Sequence, residues 1–212
     1  MKITELGHCC LIIEEAEAKI LTDPGDYTEA QNSVRGLTHV FITHEHQDHF
    51  HVPSLKQVLV NNPGAKVYTN SAVGNLLVRE GINYELLEHG NMQVLAGVEV
   101  EGIGADHHLA YKNLPIFRNT GYLFAGKFFY PGDSFTDPKK SIKLLALPIS
   151  GPWLSAAEAF DYAQLVKPDA CFPVHDGNML RRATLYRFAS KVLESAGIKF
   201  LPVEEGRIEY DI

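Results

Sequence analysis

The chain has few cysteines and no long apolar runs, the features that characterise disulfide-rich proteins and membrane proteins respectively. Only three of its 212 residues are cysteines. Two of them, Cys9 and Cys10, are adjacent, so on a strand they would face opposite sides. An odd number of cysteines fits a reducing compartment better than a disulfide framework. No apolar run approaches the ~18 residues of a membrane span, so we expect no membrane-spanning helix.

Positive charge is also scarce, with 19 Lys and Arg against 26 Asp and Glu and a formal net charge of −7. This balance argues against a general nucleic-acid-binding protein. Residues 1–19 lack the charged, apolar and small-residue parts of a signal peptide. We therefore expect a cytoplasmic protein that acts on a small molecule, with no nucleic-acid or membrane partner. A homo-oligomer, the base-rate expectation for a soluble enzyme, stays open.

The pattern of apolar residues predicts a layered α/β protein. Apolar residues make up 45% and charged residues 21% of the chain, as in globular proteins, and the length predicts one domain over residues 1–212. Two strand-rich halves, each followed by helices, favour sheets inside and helices outside. We expect strands at 2–6, 10–14, 19–23, 38–44, 66–70, 143–150 and 170–175, further strands with a hairpin at Gly126-Lys127 within 84–131, and helices at 52–61, 72–81, 155–168 and 180–197.

Histidine is concentrated in one segment. Five of the ten histidines fall within residues 39–51, and three of them belong to the pattern His44-x-His46-x-Asp48-His49 that follows a predicted strand. Alternate residues of an extended chain point the same way, so His44 and His46 can hold one metal while Asp48 and His49 face a second. Imidazole and carboxylate ligands suit Zn, Mn or Fe and do not favour Ca. Four residues cannot fill two sites, so later strand ends must add ligands, and three qualify: 104–108, 130–134 and 173–177.

An ordered set of short motifs carries a resemblance to a known family. The set runs Leu6-Gly7-His8, Leu21-Thr22-Asp23-Pro24, the His-x-His-x-Asp-His block, Ala105-x-His107, Gly132-Asp133-Ser134, Leu147-Pro148-Ile149 and Pro173-Val174-His175. In this the chain resembles the metallo-β-lactamase superfamily, and within it small metal-dependent hydrolases similar to L-ascorbate-6-phosphate lactonase. The resemblance implies a four-layer αββα sandwich with the metal site along one edge, where the two sheets meet.

The resemblance also implies a ligand set and a reaction. Two divalent metals are implied, with zinc expected first and manganese or iron as the alternatives. A hydroxide bridging the metals would attack an ester, a lactone or a similar small-molecule bond, and Asp48 could orient it and take its proton. The implied ligands are His44, His46 and His107 for the first metal, Asp48, His49 and His175 for the second, and Asp133 as the bridge.

Five further residues are candidates for supporting or substrate-binding roles. Asp23 could fix the tautomer of a ligand histidine. His8 is either a core histidine or a residue at the edge of the site, and His108 stands where the family usually has a small residue, often Ser. Trp153 could form an aromatic wall or simply pack, and Arg118 could bind an anion or belong to a solvated face.

Four functions are considered on the sequence. A hydrolase of esters or lactones fits the resemblance best. A phosphodiesterase or nuclease of the same superfamily is the alternative, although the short, acidic chain lacks room for a nucleic-acid clamp. The alternatives from other classes are an oxidoreductase with a di-iron centre, which would need a flavin domain to supply electrons, and a non-catalytic, metal-containing binding protein. The substrate itself is not indicated by the loops 24–36 and 108–119.

Overall fold

Two seven-stranded sheets form the centre of the protein. The computed structural model describes residues 1–202 and 209–212, and in these residues the strands and helices alternate along both halves of the chain. The first half contributes β1 (Lys2–Gly7), β2 (Cys10–Glu15), β3 (Ala18–Thr22), β4 (His39–Ile42), α1 (Val52–Asn61), β5 (Lys66–Thr69), α2 (Ser71–Arg79) and β6 (Glu85–Leu86). The second contributes β7 (Met92–Leu95), β8 (Val98–Ile103), β9 (Gly121–Phe124), β10 (Phe128–Tyr130), β11 (Leu144–Pro148), α3 (Ala156–Val166), β12 (Ala170–Val174), α4 (Ala183–Ser195), β13 (Lys199–Phe200) and β14 (Glu209–Asp211).

Each sheet is half antiparallel and half parallel. The first sheet has the order β14-β1-β2-β3-β4-β5-β6, in which β14 to β3 are antiparallel and β3 to β6 are parallel. The second has the order β13-β12-β11-β10-β9-β8-β7, in which β7 to β10 are antiparallel and β10 to β13 are parallel. The parallel strands require crossover connections, which α1 to α4 largely supply.

The apolar side chains divide into two clusters that define the layers. On β2, Leu11 and Ile13 pack between the sheets, whereas Cys10 and Ile12 pack beneath α1 and α2. The Phe41 ring of β4 meets the aromatic side chains of β9 across the sheet interface, 4.8 and 5.5 Å between ring centroids. Because α3 and α4 cover the second sheet, the predicted four-layer αββα sandwich is confirmed.

Local sequence signals explain several element boundaries. Ser155 caps α3 in the predicted capping box, accepting a hydrogen bond from the Glu158 N–H while the Glu158 carboxylate accepts one from the Ser155 N–H. Between β9 and β10, Ala125 and Gly126 both have positive φ, the conformation that a tight hairpin turn requires. The predicted hairpin at Gly126-Lys127 is therefore confirmed.

One predicted helix begins later in the structure than expected, and one strand was not predicted. The predicted helix 180–197 begins only at Ala183, because residues 176–182 form the loop that leaves β12. The strand β14 was not predicted, since its three residues acquire their role only by pairing with β1 at the other end of the chain. No helix within residues 1–202 and 209–212 is long and apolar enough to cross a bilayer.

The strand ends that matter for function lie at one edge of the sandwich. The loops that follow β1, β3, β4, β8, β10, β11 and β12 bring together side chains from seven segments of sequence. Loops at such an edge carry polar residues on a rigid scaffold.

Candidate metal centre

Two groups of side chains with metal-binding atoms lie side by side at this edge. His44, His46, His107 and Asp133 form the first group, and within it the possible ligand atoms all lie within 4.8 Å of one another. The second group has the same compactness and consists of His8, Asp48, His49 and His175. All of these residues except His46 and Asp48 are buried.

Asp133 lies between the two groups and contacts both. Its Oδ2 is 3.3 Å from His107 Nε2 and 3.8 Å from His44 Nε2, on the side of the first group. The same oxygen is 3.0 Å from His175 Nε2, and Oδ1 is 3.1 Å from His49 Nε2. One carboxylate therefore faces nitrogen atoms of both groups, which is the arrangement of a bridging ligand.

Backbone carbonyls fix the orientation of two of these histidines. The Nδ1 atom of His107 lies 2.5 Å from the carbonyl oxygen of His108, and that of His175 lies 2.5 Å from the carbonyl oxygen of Ser150. A carbonyl oxygen only accepts, so in both rings Nδ1 carries the proton and donates it. The neutral ring then presents the lone pair of Nε2 to the centre, the usual state of a metal-ligating histidine.

A buried carboxylate orients two more histidines. Asp23 Oδ2 accepts a hydrogen bond from His49 Nδ1 at 2.7 Å and another from the Thr43 hydroxyl at 2.7 Å. Because that hydroxyl gives its proton to Asp23, it accepts one from His44 Nδ1, 3.0 Å away. His44 and His49 therefore also turn Nε2 towards the centre, while His46 brings Nδ1 to within 3.1 Å of His44 Nε2.

The inward-facing atoms need a positive charge between them. The buried atoms His49 Nε2, His107 Nε2, His175 Nε2 and Asp133 Oδ1 have no hydrogen-bond partner among the described residues. Imidazole lone pairs pointing at a carboxylate repel it unless a proton or a metal cation lies between. The donor set of imidazole nitrogen and carboxylate oxygen fits Zn, Mn or Fe.

The charges of the centre are strongly coupled. Burial alone would raise the pKa of Asp133, but the neighbouring His49 and His175 outweigh it and hold that pKa well below its usual range. Burial likewise opposes ionisation of His49 and His175, yet Asp133 raises the pKa of both well above the ordinary value. In His44, burial prevails and the pKa is well below its ordinary value. The centre is thus built to hold positive charge against Asp133.

Three of the eight described non-glycine residues with positive φ lie at this centre. His8, Asp23 and His175 are not glycines, yet their φ angles are 57°, 37° and 61°. Such conformations persist where the surroundings over-determine them, and they cluster at functional sites. At Gly132 the φ is 63° and a Cβ would lie 2.4 Å from Asn119 Oδ1, so only glycine fits beside Asp133.

A small pocket opens onto both groups. Its volume is about 320 Å³, and its walls include Tyr27, Gln47, Trp153 and Asn178 besides the candidate ligands. The Trp153 ring lies 5.3 Å from that of His107 and 5.6 Å from that of His175. This volume lies within the usual range of small-molecule pockets.

The remaining predicted residues fall in different places. Asp23 lies behind His49 and does not reach the pocket, whereas Trp153 forms part of its wall. His8 is buried against Asp48. The His108 ring lies 4.8 Å from that of Phe135 and 5.8 Å from that of Trp153, and Arg118 is exposed; neither His108 nor Arg118 lines the pocket.

Several residues at the centre were missed by reasoning from sequence. Asn119 Oδ1 accepts a hydrogen bond from the Asp133 N–H at 3.0 Å, and its amide donates to the Pro131 carbonyl at 2.8 Å, so it fixes the loop that carries the bridging residue. The Tyr130 hydroxyl donates to Asp23 Oδ2 at 2.5 Å. Cys9 lies within 4.8 Å of ligand atoms of His49 and Asp133. Only the position of Cys9 beside His8 gave a signal for any of these in the sequence.

Comparisons with known proteins agree with this geometry. The family described as "Beta-lactamase superfamily domain" matches residues 2–175. Protein Rv0786c of Mycobacterium tuberculosis is 31% identical over 180 residues, which cover 82% of this chain and 84% of that protein. A UPF0173 metal-dependent hydrolase of Alkaliphilus metalliredigens is 26% identical over 198 residues, covering 82% of this chain and 85% of the relative.

A solved structure shares the fold. Igni18, a metallo hydrolase from the hyperthermophilic archaeon Ignicoccus hospitalis, has a TM-score of 0.75 and 20% sequence identity, covering 100% of both chains. The matched family spans β1 to the end of β12 and so includes every candidate ligand from His44 to His175. With its two-sheet sandwich and this match over residues 2–175, the chain belongs to the β-lactamase superfamily domain family.

Proposed function

We propose that the protein is a metal-dependent hydrolase with two metals, which acts on an ester, a lactone or a similar bond of a small molecule. Membership of the β-lactamase superfamily and the hydrolase names of relatives support the reaction class. The observation that carries the proposal is the position of Asp133, whose carboxylate faces unpartnered imidazole nitrogens of both groups among the described residues.

The two compact groups and the tautomers of four histidines support the ligand assignment. We infer that His44, His46 and His107 hold the first metal, that Asp48, His49 and His175 hold the second, and that Asp133 bridges them. Zinc is the first expectation, and manganese or iron are the alternatives. His44, His49, His107 and His175 are already turned with Nε2 inward by Thr43, Asp23 and two carbonyls.

Two divalent cations, when bound, would lower the pKa of a water held between them and offset negative charge on the oxygen of the attacked bond. The protein positions the reacting groups. Asp48 Oδ2 contacts His8 at 3.1 Å and His175 at 3.4 Å, so a proton accepted by this carboxylate would be held at Oδ1. Tyr27 and Trp153 form two walls that hold substrate over the ligands and limit the access of bulk water.

The pocket supports a small substrate. A lactone or compact ester fits a volume of about 320 Å³. In its most specific form, we propose a lactonase similar to L-ascorbate-6-phosphate lactonase. The net charge of −7 is unfavourable for binding nucleic acid, so a phosphodiesterase or nuclease is the alternative that the assay must test.

The first test is the metal content of tag-free protein purified without added metal. Elemental analysis should find about two equivalents per chain. Trp153 is the single tryptophan of the chain and lies beside ligands of both groups, so titration of metal-free protein with Co²⁺ should quench its fluorescence. No metal uptake would refute the proposal, and one equivalent would refute its binuclear form.

The second test is turnover by the loaded protein on a panel of esters, lactones and phosphodiesters. Asp133→Asn should abolish hydrolysis and lower metal content. His89→Asn is a matched control, because His89 lies outside the candidate groups and its Nδ1 accepts from the Gly104 N–H, which asparagine Oδ1 can replace. Cleavage of phosphodiesters alone, with salt-dependent RNA binding, would favour the nuclease. Metal binding without turnover would favour a binding protein.

A further inference from the structure

His8 connects the two sheets at the candidate metal centre. It lies in the turn between β1 and β2, fully buried, with a φ of 57°. Its carbonyl oxygen accepts a hydrogen bond from the His175 N–H at 3.1 Å. Its Nδ1 lies 3.0 Å from the Gly177 nitrogen, and its Nε2 lies 3.1 Å from Asp48 Oδ2. One residue thus contacts both Asp48 and the segment 175–177.

The partners of His8 determine which nitrogen carries the proton. The Gly177 N–H can only donate, so Nδ1 accepts and is unprotonated. The proton of the neutral ring is therefore on Nε2, which donates to Asp48 Oδ2. Both ring nitrogens are used, so His8 has no lone pair to offer a metal even though it lies within the second group.

The packing around the ring leaves it little freedom to choose another arrangement. The His8 ring lies 4.5 Å from that of Tyr27 and 4.3 Å from that of His175, measured between ring centroids. A Cβ on Gly177 would lie 3.0 Å from His8 Nδ1 and 3.0 Å from Tyr27 Cδ2. The close approach of the Gly177 backbone therefore depends on glycine and sets the ring against Asp48.

We propose that His8 is a positioning residue for the second metal and not one of its ligands. It holds Asp48 Oδ2 by a hydrogen bond and fixes the 175–177 segment by two backbone contacts, so that Asp48, His49 and His175 are prearranged. The first metal position, His44 with His46 and His107, lies beyond this contact. This inference rests on the proposed function, since it assumes two metals. It implies that a change at His8 weakens the affinity for the second metal and leaves the affinity for the first unchanged.

Two substitutions separate the two contacts of the ring. His8→Asn keeps an acceptor near the position of Nδ1 for Gly177, loses the donor to Asp48, and tolerates a positive φ better than most residues. His8→Gln keeps a donor near the position of Nε2 for Asp48 and loses the acceptor for Gly177. Gly177→Ala would displace the His8 ring, because the added Cβ would lie 3.0 Å from His8 Nδ1, and so disturbs both contacts without changing His8. It serves if the His8 variants do not fold.

The experiment is a Zn²⁺ titration of metal-free wild type and variants by calorimetry, with thermal unfolding of each metal-free protein as the control for folding. Wild type should take up two equivalents. His8→Asn and Gly177→Ala should weaken only one equivalent, by about 10–100-fold, the usual effect of losing a partner that orients a ligand. His8→Gln should weaken it less than His8→Asn.

Other results would overturn the inference. Unchanged affinity of both equivalents in His8→Asn and Gly177→Ala would show that the contact does not position the second metal. Equal weakening of both equivalents would show a general structural role. If wild type itself takes up fewer than two equivalents, the binuclear proposal fails and the inference fails with it, a result distinct from the other two.

Discussion

Replacing Asp23 by asparagine should weaken metal binding although Asp23 does not face the pocket. Four hydrogen bonds reach its carboxylate. Oδ2 accepts from the Thr43 hydroxyl, His49 Nδ1 and the Tyr130 hydroxyl at 2.7, 2.7 and 2.5 Å, and Oδ1 accepts from the Thr43 N–H at 2.7 Å. An asparagine has one oxygen and one NH₂ group, so whichever way it turns, at least one buried donor meets another donor.

The expected magnitudes follow from this count. A buried donor that loses its acceptor costs about 1–3 kcal/mol, so the free energy of unfolding of the metal-free variant should be lower by this amount. The loss of the partner that orients His49 should weaken the metal held by His49 by about 10–100-fold. The second effect corresponds to about 1.4–2.7 kcal/mol.

The assay is a Zn²⁺ titration of metal-free Asp23→Asn beside Tyr130→Phe, with urea unfolding of each. Tyr130→Phe removes one of the three bonds to Oδ2 but leaves the carboxylate and its bond to His49 in place. It should therefore lose stability without a comparable loss of metal affinity. If Asp23→Asn bound both equivalents as tightly as wild type, the argument that Asp23 fixes the tautomer of His49 would be refuted.

Four further predictions concern other parts of the molecule. Burial, and secondarily Asp176, raise the pKa of Glu5 to about 9, so the folded state keeps its proton while the unfolded state loses it above pH 4.5. The free energy of unfolding of the wild type should therefore fall as the pH rises from 4.5 towards about 9, by at most about 1.4 kcal/mol per pH unit. Urea unfolding of Glu5→Gln at pH 6 and 8 should lack this contribution to the pH dependence. A stability difference between the variant and the wild type that is independent of pH would contradict the prediction. Gly25→Ala should lower metal content, measured by elemental analysis, because its Cβ would lie 1.9 Å from the Asp48 carbonyl oxygen; wild-type content would argue against this. Ser155→Ala should lower the free energy of unfolding by about 1 kcal/mol and leave Zn²⁺ affinity unchanged, and a change in affinity would show coupling to the centre. Calorimetric unfolding of the metal-free chain should show one transition, as expected for one domain over residues 1–212, whereas two would indicate separate units.

The sequence predicted the parts of the centre that local spacing determines. The block from His44 to His49 follows the buried strand β4 directly, so its four ligand-type side chains lie at one edge of a sheet. The expected alternation of an extended chain was wrong for His44 and His46, because the strand predicted over 38–44 ends at Ile42 and residues 45–49 form bends and turns. His107, Asp133 and His175 came from the resemblance and from their places after strands. The structure brings all seven together in two compact groups.

What the sequence could not predict depends on contacts between distant segments. Asp23 and His49 are 26 residues apart, and the Gly177 N–H reaches His8 across 169 residues. Asn119 is an ordinary residue in a loop until the fold places its side chain against the backbone beside Asp133. Such hydrogen bonds have no periodicity and no spacing rule, because their geometry exists only once both sheets have packed.

At the centre, the candidate ligands face the pocket, and the residues that orient them lie behind them. The orientation of each inward Nε2 is set by a group that touches no substrate: a carbonyl for His107 and for His175, Asp23 for His49, and Thr43 for His44. Since these groups lie on strand ends and buried turns, the centre can stay fixed while loops at its rim differ. Substrate selectivity should therefore reside in rim residues such as Tyr27 and Trp153, and exchange of these side chains should change which substrates are cleaved while leaving metal content unchanged.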